Sequence, residues 1–319
     1  MRVETLTASY LLDWVLGDPE SFPHPVKFIG NAIATGERSL RRSGSGQAAE
    51  FIGGLVLTSG IVAGSAVAVS KLLDALHRLI PSGARAVEIW LGASCLATRN
   101  LLDEASSVLQ ALEKADLERA RLRLSRIVGR DTAELDASEI ARAVIETLAE
   151  SLCDGVIAPL TYLAVGGVPM AMAYKAVNTL DSMIGHRDED YEWFGKAAAG
   201  LDDAANFLPA RFAALLVCGA CAILEPANIC SAWRTWRLDG LKHASPNAGQ
   251  TESAMAGALR VQLGGVNTYE DTRVETPLLG AGFAGPNVRH VRKALRITAM
   301  ASVLGFAVAC IVLSGRRDG

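Results

Sequence analysis

Residues 51–69 read FIGGLVLTSGIVAGSAVAV, an unbroken run without a charged side chain. Its length is close to the roughly 20 residues that a helix needs to cross the hydrocarbon core of a bilayer. Its Gly, Ala and Ser content lets neighbouring helices approach closely, as membrane helices do. The stretch therefore predicts a transmembrane helix. The composition agrees: 50% of the chain is hydrophobic, only 20% is charged, and the mean hydropathy is +0.25. The expected fold is all-α and polytopic, with four to six membrane-embedded helices plus amphipathic and soluble helices. One integral membrane domain over 1–319 is expected to hold them. A net charge of −3 without a basic block, and an aromatic share of 6%, argue against a nucleic-acid surface. The six cysteines are scattered. Cys218 and Cys221 form a C-x-x-C on an apolar run with no second pair, so they read as small apolar filler rather than a zinc or disulfide site.

Upstream of that span, residues 3–17 predict a short apolar helix, and Glu4 and Asp13 argue against a signal peptide. Pro19, Pro23 and Pro25 bracket an extended loop that presents His24. Residues 29–42 are amphipathic, and 43–46 form a Gly/Ser joint. Downstream, 84–102 is a weaker candidate span, interrupted by Glu88, Arg99 and Asn100. Residues 103–128 predict one water-exposed helix, opening a water-exposed segment that reaches to about 154. Asp136 with Glu139 predicts a capping box for the next helix. On that helix Arg142, Glu146, Glu150 and Asp154 recur every four residues as one charged stripe. Residues 155–174 are apolar around Gly166-Gly167-Val168-Pro169, which predicts a re-entrant hairpin or a discontinuous helix. A hairpin would bring the Glu146/Glu150 helix and the Asn178/Asp181 segment to one side of the membrane.

The polar segment 174–211 lies between two apolar runs. Tyr174, Asn178 and Asp181 share one helix face, and Asp202 with Asn206 shares another. A span over 207–224 is predicted to begin with Pro209 in its first turn. Residues 227–242 predict an interfacial helix anchored by Trp233 and Trp236, and 245–252 a polar turn capping the next helix. The Gly-rich segment 253–286 matches neither phosphate-loop pattern, and 296–314 predicts the last span. Carboxylates and amides in number, without a Cys/His cluster, suit Mg²⁺ rather than Zn²⁺. With Lys175 and Arg211 for anionic oxygens, the chemistry expected is phosphoryl or nucleotidyl transfer at a membrane surface.

Five segments carry a resemblance: LLDWVLGDPESFPHPVKFIG (11–30), GRDTAELDASEIARAVIETLAESLCDGVIAPL (129–160), YKAVNTLDSMIGH (174–186), GLDDAANFLPARF (200–212) and SPNAGQTESAMAG (245–257). Together they resemble the CobD/CbiB family, the adenosylcobinamide-phosphate (cobinamide) synthases of cobalamin biosynthesis. The resemblance implies a multi-pass enzyme of the bacterial inner membrane. It implies ATP-dependent amide formation between a propionate carboxylate of adenosylcobyric acid and (R)-1-aminopropan-2-ol or its O-phosphate. ATP as co-substrate and Mg²⁺ follow from it, as do corrinoid, aminopropanol and membrane lipid as partners. It also admits a homo-oligomer or an association with other late corrin-pathway enzymes. With it, the catalytic candidates are Asp18, His24, Glu146, Glu150 and Asp181. Asp131, Lys175, Asn178, Asn206, Arg211 and Asn247 are candidates for substrate, and Asp154, Asp181, Asp202 and Asp203 for metal. Where this chain has Ser151-Leu152-Cys153 the family often has Asn-x-Ser, so a hydroxyl at 153 is absent here. Two other classes compete: a Mg²⁺-dependent membrane transferase of CDP-alcohol or polyprenyl type, whose full motif spacing is missing, and a transporter with a discontinuous helix, whose polar groups belong nearer mid-span.

Overall fold

The computed structural model describes residues 1–17, 24–41, 46–186, 190–269 and 272–315. The chain runs through α1 (Val3–Leu16), α2 (Pro25–Leu40), α3 (Gln47–Leu79), α4 (Pro81–Ala93), α5 (Thr98–Glu113), α6 (Leu117–Leu124) and α7 (Ala137–Leu152). A π-turn, Cys153–Ile157, joins α7 to α8 (Ala158–Ile184). Then come α9 (Lys196–Leu224), α10 (Ile229–Asp239) and α11 (Ala248–Leu259). A hairpin of β1 (Leu263–Tyr269) and β2 (Thr272–Leu279) precedes α12 (Val288–Gly315). The fold is all-α apart from that hairpin. Among the described residues four helical runs are long and apolar enough to cross a bilayer: α3, Ala137–Ile184, α9 and α12. The first helix, at about 1.5 Å per residue, is too short to do so. Residues 43–45 of the expected joint lie outside the described residues. The contacts divide the chain into two compact units. One holds Met1–Ala97, Ala158–Asn206 and Val308–Gly319; the other holds Thr98–Ile157 and Phe207–Ala307.

In the first unit, small residues set the helix spacing. A Cβ on Gly54 would lie 1.8 Å from the Phe194 carbonyl oxygen, so only glycine lets the fully buried Phe194 sit against α3. Ser9 of α1 donates to the Ile89 carbonyl of α4 at 3.0 Å. The predicted span over 84–102 is not one helix. Helix α4 ends at Ala93, and Thr98 starts α5, where Arg99 pairs with Asp103 at 2.5 Å. That exposed pair of charges belongs to a water-facing helix.

Helix α8 breaks at Gly167, whose φ of 68° and ψ of −164° suit essentially glycine alone. Pro169 follows it and removes another helical hydrogen bond. The two arms fold back on one another: the Tyr162 and Tyr174 rings stack with centroids 4.9 Å apart. On a straight helix those residues would be separated by about 18 Å. The Gly-Gly-x-Pro stretch therefore makes a helical hairpin, as its sequence suggested. Pro209 is corrected, because α9 begins at Lys196 and the proline lies inside it. The carbonyl four residues earlier, Ala205, has lost its helical donor and accepts the Tyr162 hydroxyl at 2.8 Å instead.

In the second unit, the expected helix over 103–128 is two helices. Ala115 takes a left-handed φ of 55°, and Asp116 caps α6 by accepting from the Arg119 N–H at 3.0 Å. The capping box forms as predicted, with Asp136 accepting from the Glu139 N–H and Glu139 from the Asp136 N–H, each at 2.8 Å. Helix α11 is buried all round, packed on α10 and α7. Trp236 is corrected from interfacial anchor to core: it is buried, and its Nε1–H donates to Gln250 Oε1 at 2.9 Å. Trp233 keeps an exposed ring. The Gly-rich segment holds the end of α11 and an antiparallel hairpin. The β-branched residues Val266, Thr268, Val274 and Thr276 favour strands. Gly264, at φ 78°, permits the bulge at its base, where a Cβ would meet the Pro277 carbonyl oxygen at 2.2 Å.

Candidate functional site

The second unit contains a polar cleft of about 270 Å³. Helix α7 supplies Glu146, Thr147, Glu150 and Ser151; the loop after α6 supplies Arg130, the loop before α11 supplies His243, and α11 supplies Glu252. Strand β1 closes it with Gly264, Asn267 and Tyr269. Arg130 is its fixed cation. Its Nη2 donates to Glu146 Oε2 at 2.7 Å, and its Nη1 donates to Asn267 Oδ1. Glu146 Oε1 accepts from the Gly264 N–H at 2.9 Å, and Arg142 donates to the Gly264 and Val266 carbonyls at 2.7 and 3.0 Å. The charged stripe of α7 therefore clamps the hairpin. The π-turn shifts the register after Leu152, so Asp154 leaves the stripe and does not line the cleft.

Two groups of the cleft titrate away from their ordinary values. Burial pushes the Glu252 carboxyl well above 4.5; the charges of Glu146 and Glu150 add to that, and Arg130 opposes it. Burial holds the His243 imidazole below 6.5, and its Nδ1 accepts from the Ser245 N–H at 3.0 Å. Around neutral pH His243 is thus an uncharged ring.

The first unit gathers a second polar set on α8 and α9. Tyr174 donates to Asn206 Oδ1 at 2.8 Å, and Asn206 Nδ2 donates to Asp202 Oδ2 at 3.0 Å. The two faces foreseen from the spacing do meet. Asp202 lies in the electrostatic field of Asp181 and, less strongly, of Asp203; the Asn178 amide also bears on it. Its other oxygen, Oδ1, is buried without a partner in hydrogen-bonding geometry among the described residues. Among those residues no three His, Cys, Asp or Glu side chains converge as a metal cage. An orphaned carboxylate oxygen beside further carboxylates fits a Mg²⁺ ion, which one or two carboxylates hold while water and phosphate complete the shell. Gly185 keeps room here, since a Cβ on it would lie 2.1 Å from Asp181 Oδ1.

Asp18 lies outside the described residues. His24 is the N-cap of α2, its Nδ1 accepting from the Val26 N–H at 3.3 Å. The half-buried Lys175 bears electrostatically on the Cys95 thiol, which burial pushes up to about 12 while the lysine opposes the shift. Asp131 is exposed, with its N–H held by the Thr268 carbonyl at 2.9 Å. Arg211 lies over the Phe207 ring, 3.5 Å from its centroid, and donates to the Phe207 carbonyl at 2.7 Å. Asn247 is buried at the start of α11, where Ser245 Oγ accepts from its N–H at 3.3 Å. Sequence reasoning missed Arg130, His243, Glu252 and Asn267. Arg130 and Glu252 stand inside two of the segments that carry the resemblance, GRDT and QTES. Asn267 had no signal, because its role depends on the hairpin.

The family model described as CobD/Cbib protein matches residues 6–298. The cobalamin biosynthesis protein CbiB of Salmonella typhi is 42% identical over 317 residues, covering 97% of this chain and 96% of its own length. The cobalamin biosynthesis protein CobD of Citrobacter koseri is 42% identical over 309 residues, with the same coverage of each. That of Klebsiella pneumoniae is 43% identical over 303 residues, 94% of each chain. No solved structure matches the chain.

Proposed function

The chain belongs to the CobD/CbiB family. From that premise, and the role in cobalamin biosynthesis that goes with it, we propose that this protein is a membrane ligase. In this reading it joins a propionate carboxylate of adenosylcobyric acid to (R)-1-aminopropan-2-ol or its O-phosphate, at the expense of ATP. Its proposed setting is the bacterial inner membrane, crossed several times. The observation that carries the reading is the match to the family over residues 6–298.

A carboxylate resists attack by an amine until one oxygen becomes a leaving group, and transfer of a phosphoryl or adenylyl group from ATP provides that. Mg²⁺ would neutralise charge on the polyphosphate. Asp181, Asp202 and Asp203 are the residues proposed to hold it, with Asn178 and Asn206 fixing their orientation. Lys175 is proposed to face an anionic oxygen of a substrate. So is Arg211, whose guanidinium is oriented by the Phe207 ring and carbonyl. The amine must lose a proton before its nitrogen attacks, and a suitably placed carboxylate can accept it. Expulsion of phosphate or AMP then completes the amide. Most of the rate enhancement would come from positioning and charge neutralisation.

The test is direct. Detergent-purified protein is given Mg-ATP, adenosylcobyric acid and either aminopropanol or its phosphate, and the products are read by mass spectrometry. The amide is expected, with ATP consumed in step. Folded protein that makes no amide with either amine refutes the proposal.

A further inference from the structure

Glu252 stands apart from the other acids of the cleft. Its residue is only 6% exposed, it lines the cavity, and it has no hydrogen bond or ion pair among the described residues. Glu146, by contrast, is held by Arg130 and the Gly264 N–H. A carboxyl group largely withdrawn from water without a partner tends to hold its proton, and an arriving cation would let it ionise. The charged and titratable groups that face Glu252 are Glu146 and Glu150 of α7 and Arg130 of the preceding loop, with His243, uncharged around neutral pH, beside them in the cleft. Glu146 is paired with Arg130 and approached by Arg142 at 3.6 Å, and Glu150 is the further carboxylate whose charge bears on Glu252. Ser151 and Thr147 add hydroxyl oxygens. Such a pocket has acceptors for several N–H groups of one small cation.

We propose that this cleft is the binding site of a small primary ammonium group, with Glu252 as its counter-ion. The inference rests on the amide-forming reading above and assigns the amine end of that reaction to the α7–α11 cleft. An arriving ammonium would give the buried carboxylate the partner it lacks, and Ser151 and Thr147 would take further N–H bonds. The raised titration of Glu252 agrees with this, because an empty pocket favours the neutral acid and a bound cation favours the anion.

The test uses the full-length protein in detergent. In wild type, dicyclohexylcarbodiimide labelling of Glu252 is followed by mass spectrometry with 1-aminopropan-2-ol, with propane-1,2-diol, or with potassium chloride. The amine is expected to protect Glu252 at least tenfold, and the diol and potassium not at all. Protection by potassium alone, or none by the amine, overturns the assignment. In Glu252→Gln, the Kd of the amine and its KM are expected to rise at least tenfold, while the KM values for ATP and corrinoid stay within twofold. A folded variant with an unchanged amine Kd also overturns it, even if wild type forms the amide. Wild type that binds the amine through Glu252 yet forms no amide would refute the ligase reading and leave this site standing.

Discussion

Replacing Arg130 by Met should loosen the hairpin on α7 and lower the stability of the second unit substantially. The side chains of Arg130 and Glu146 are 7% and 13% exposed, so solvent screening takes little from their interaction. The substitution removes the Nη2–Glu146 bond of 2.7 Å and the donor to Asn267 Oδ1. It leaves Glu146 with the Gly264 N–H at 2.9 Å and a more distant Arg142 nitrogen at 3.6 Å. Breaking a buried pair by deleting one partner costs about 3–5 kcal/mol, and the Gly264 bond and Arg142 place the loss towards the lower end of that range. Glu146→Gln keeps an acceptor for Gly264 but removes the charge. The double variant should therefore lose about 1.5–3 kcal/mol less than the sum of the two single losses. The assay is reversible unfolding in mixed detergent micelles, with hydrogen exchange of the β1 amides as the local readout. A loss under about 1 kcal/mol for Arg130→Met, or additivity in the double variant, would refute the claim that this pair clamps the hairpin.

Three further outcomes follow from other parts of the chain. Gly167→Ala must force a side chain into φ 68° and ψ −164°, which costs about 1–3 kcal/mol; a thermal midpoint equal to wild type would contradict the hairpin geometry. Asp181→Asn and Asp202→Asn are expected to abolish amide formation with expression unchanged, and wild-type turnover in both would remove the proposed metal role. Glu252 gives a pH signature. Its folded value lies above the ordinary 4.5, so the folded protein holds the proton more tightly than the unfolded chain. Its contribution is fully present below pH 4.5 and is lost as pH rises through the folded value. The midpoint of wild type relative to Glu252→Gln should therefore fall from pH 4.5 upwards and then level off. A difference that rises with pH would contradict the burial-driven shift.

Membrane character was legible because it depends on run length and charge count, which need no tertiary information. The capping box at Asp136 and the break at Gly166-Gly167 were legible because their causes are local. The contact of Tyr174 with Asn206 and of Asn206 with Asp202 follows two faces that helical spacing had already defined. What stayed hidden depends on partners distant in sequence. Pro209 looked like a helix start because nothing local shows that Tyr162 satisfies the carbonyl it frees. Trp236 looked interfacial until Gln250, on the neighbouring helix, took its indole N–H. Glycines masked the hairpin, since Gly264 and Gly265 are poor strand formers by propensity yet sit at its bulge. Glu252 looked like part of a cap because its burial comes from packing around α11, not from its own segment.

The central claim is that a carboxylate is activated at the expense of ATP and then attacked by an amine. Corrinoid substrate with ¹⁸O in the reacting propionate, incubated with Mg-ATP, the amine and purified protein, follows the oxygen that must leave. Activation requires one labelled oxygen to appear in inorganic phosphate or in AMP for each amide formed. Amide formed with no label in either product, or label released only into water, would contradict it.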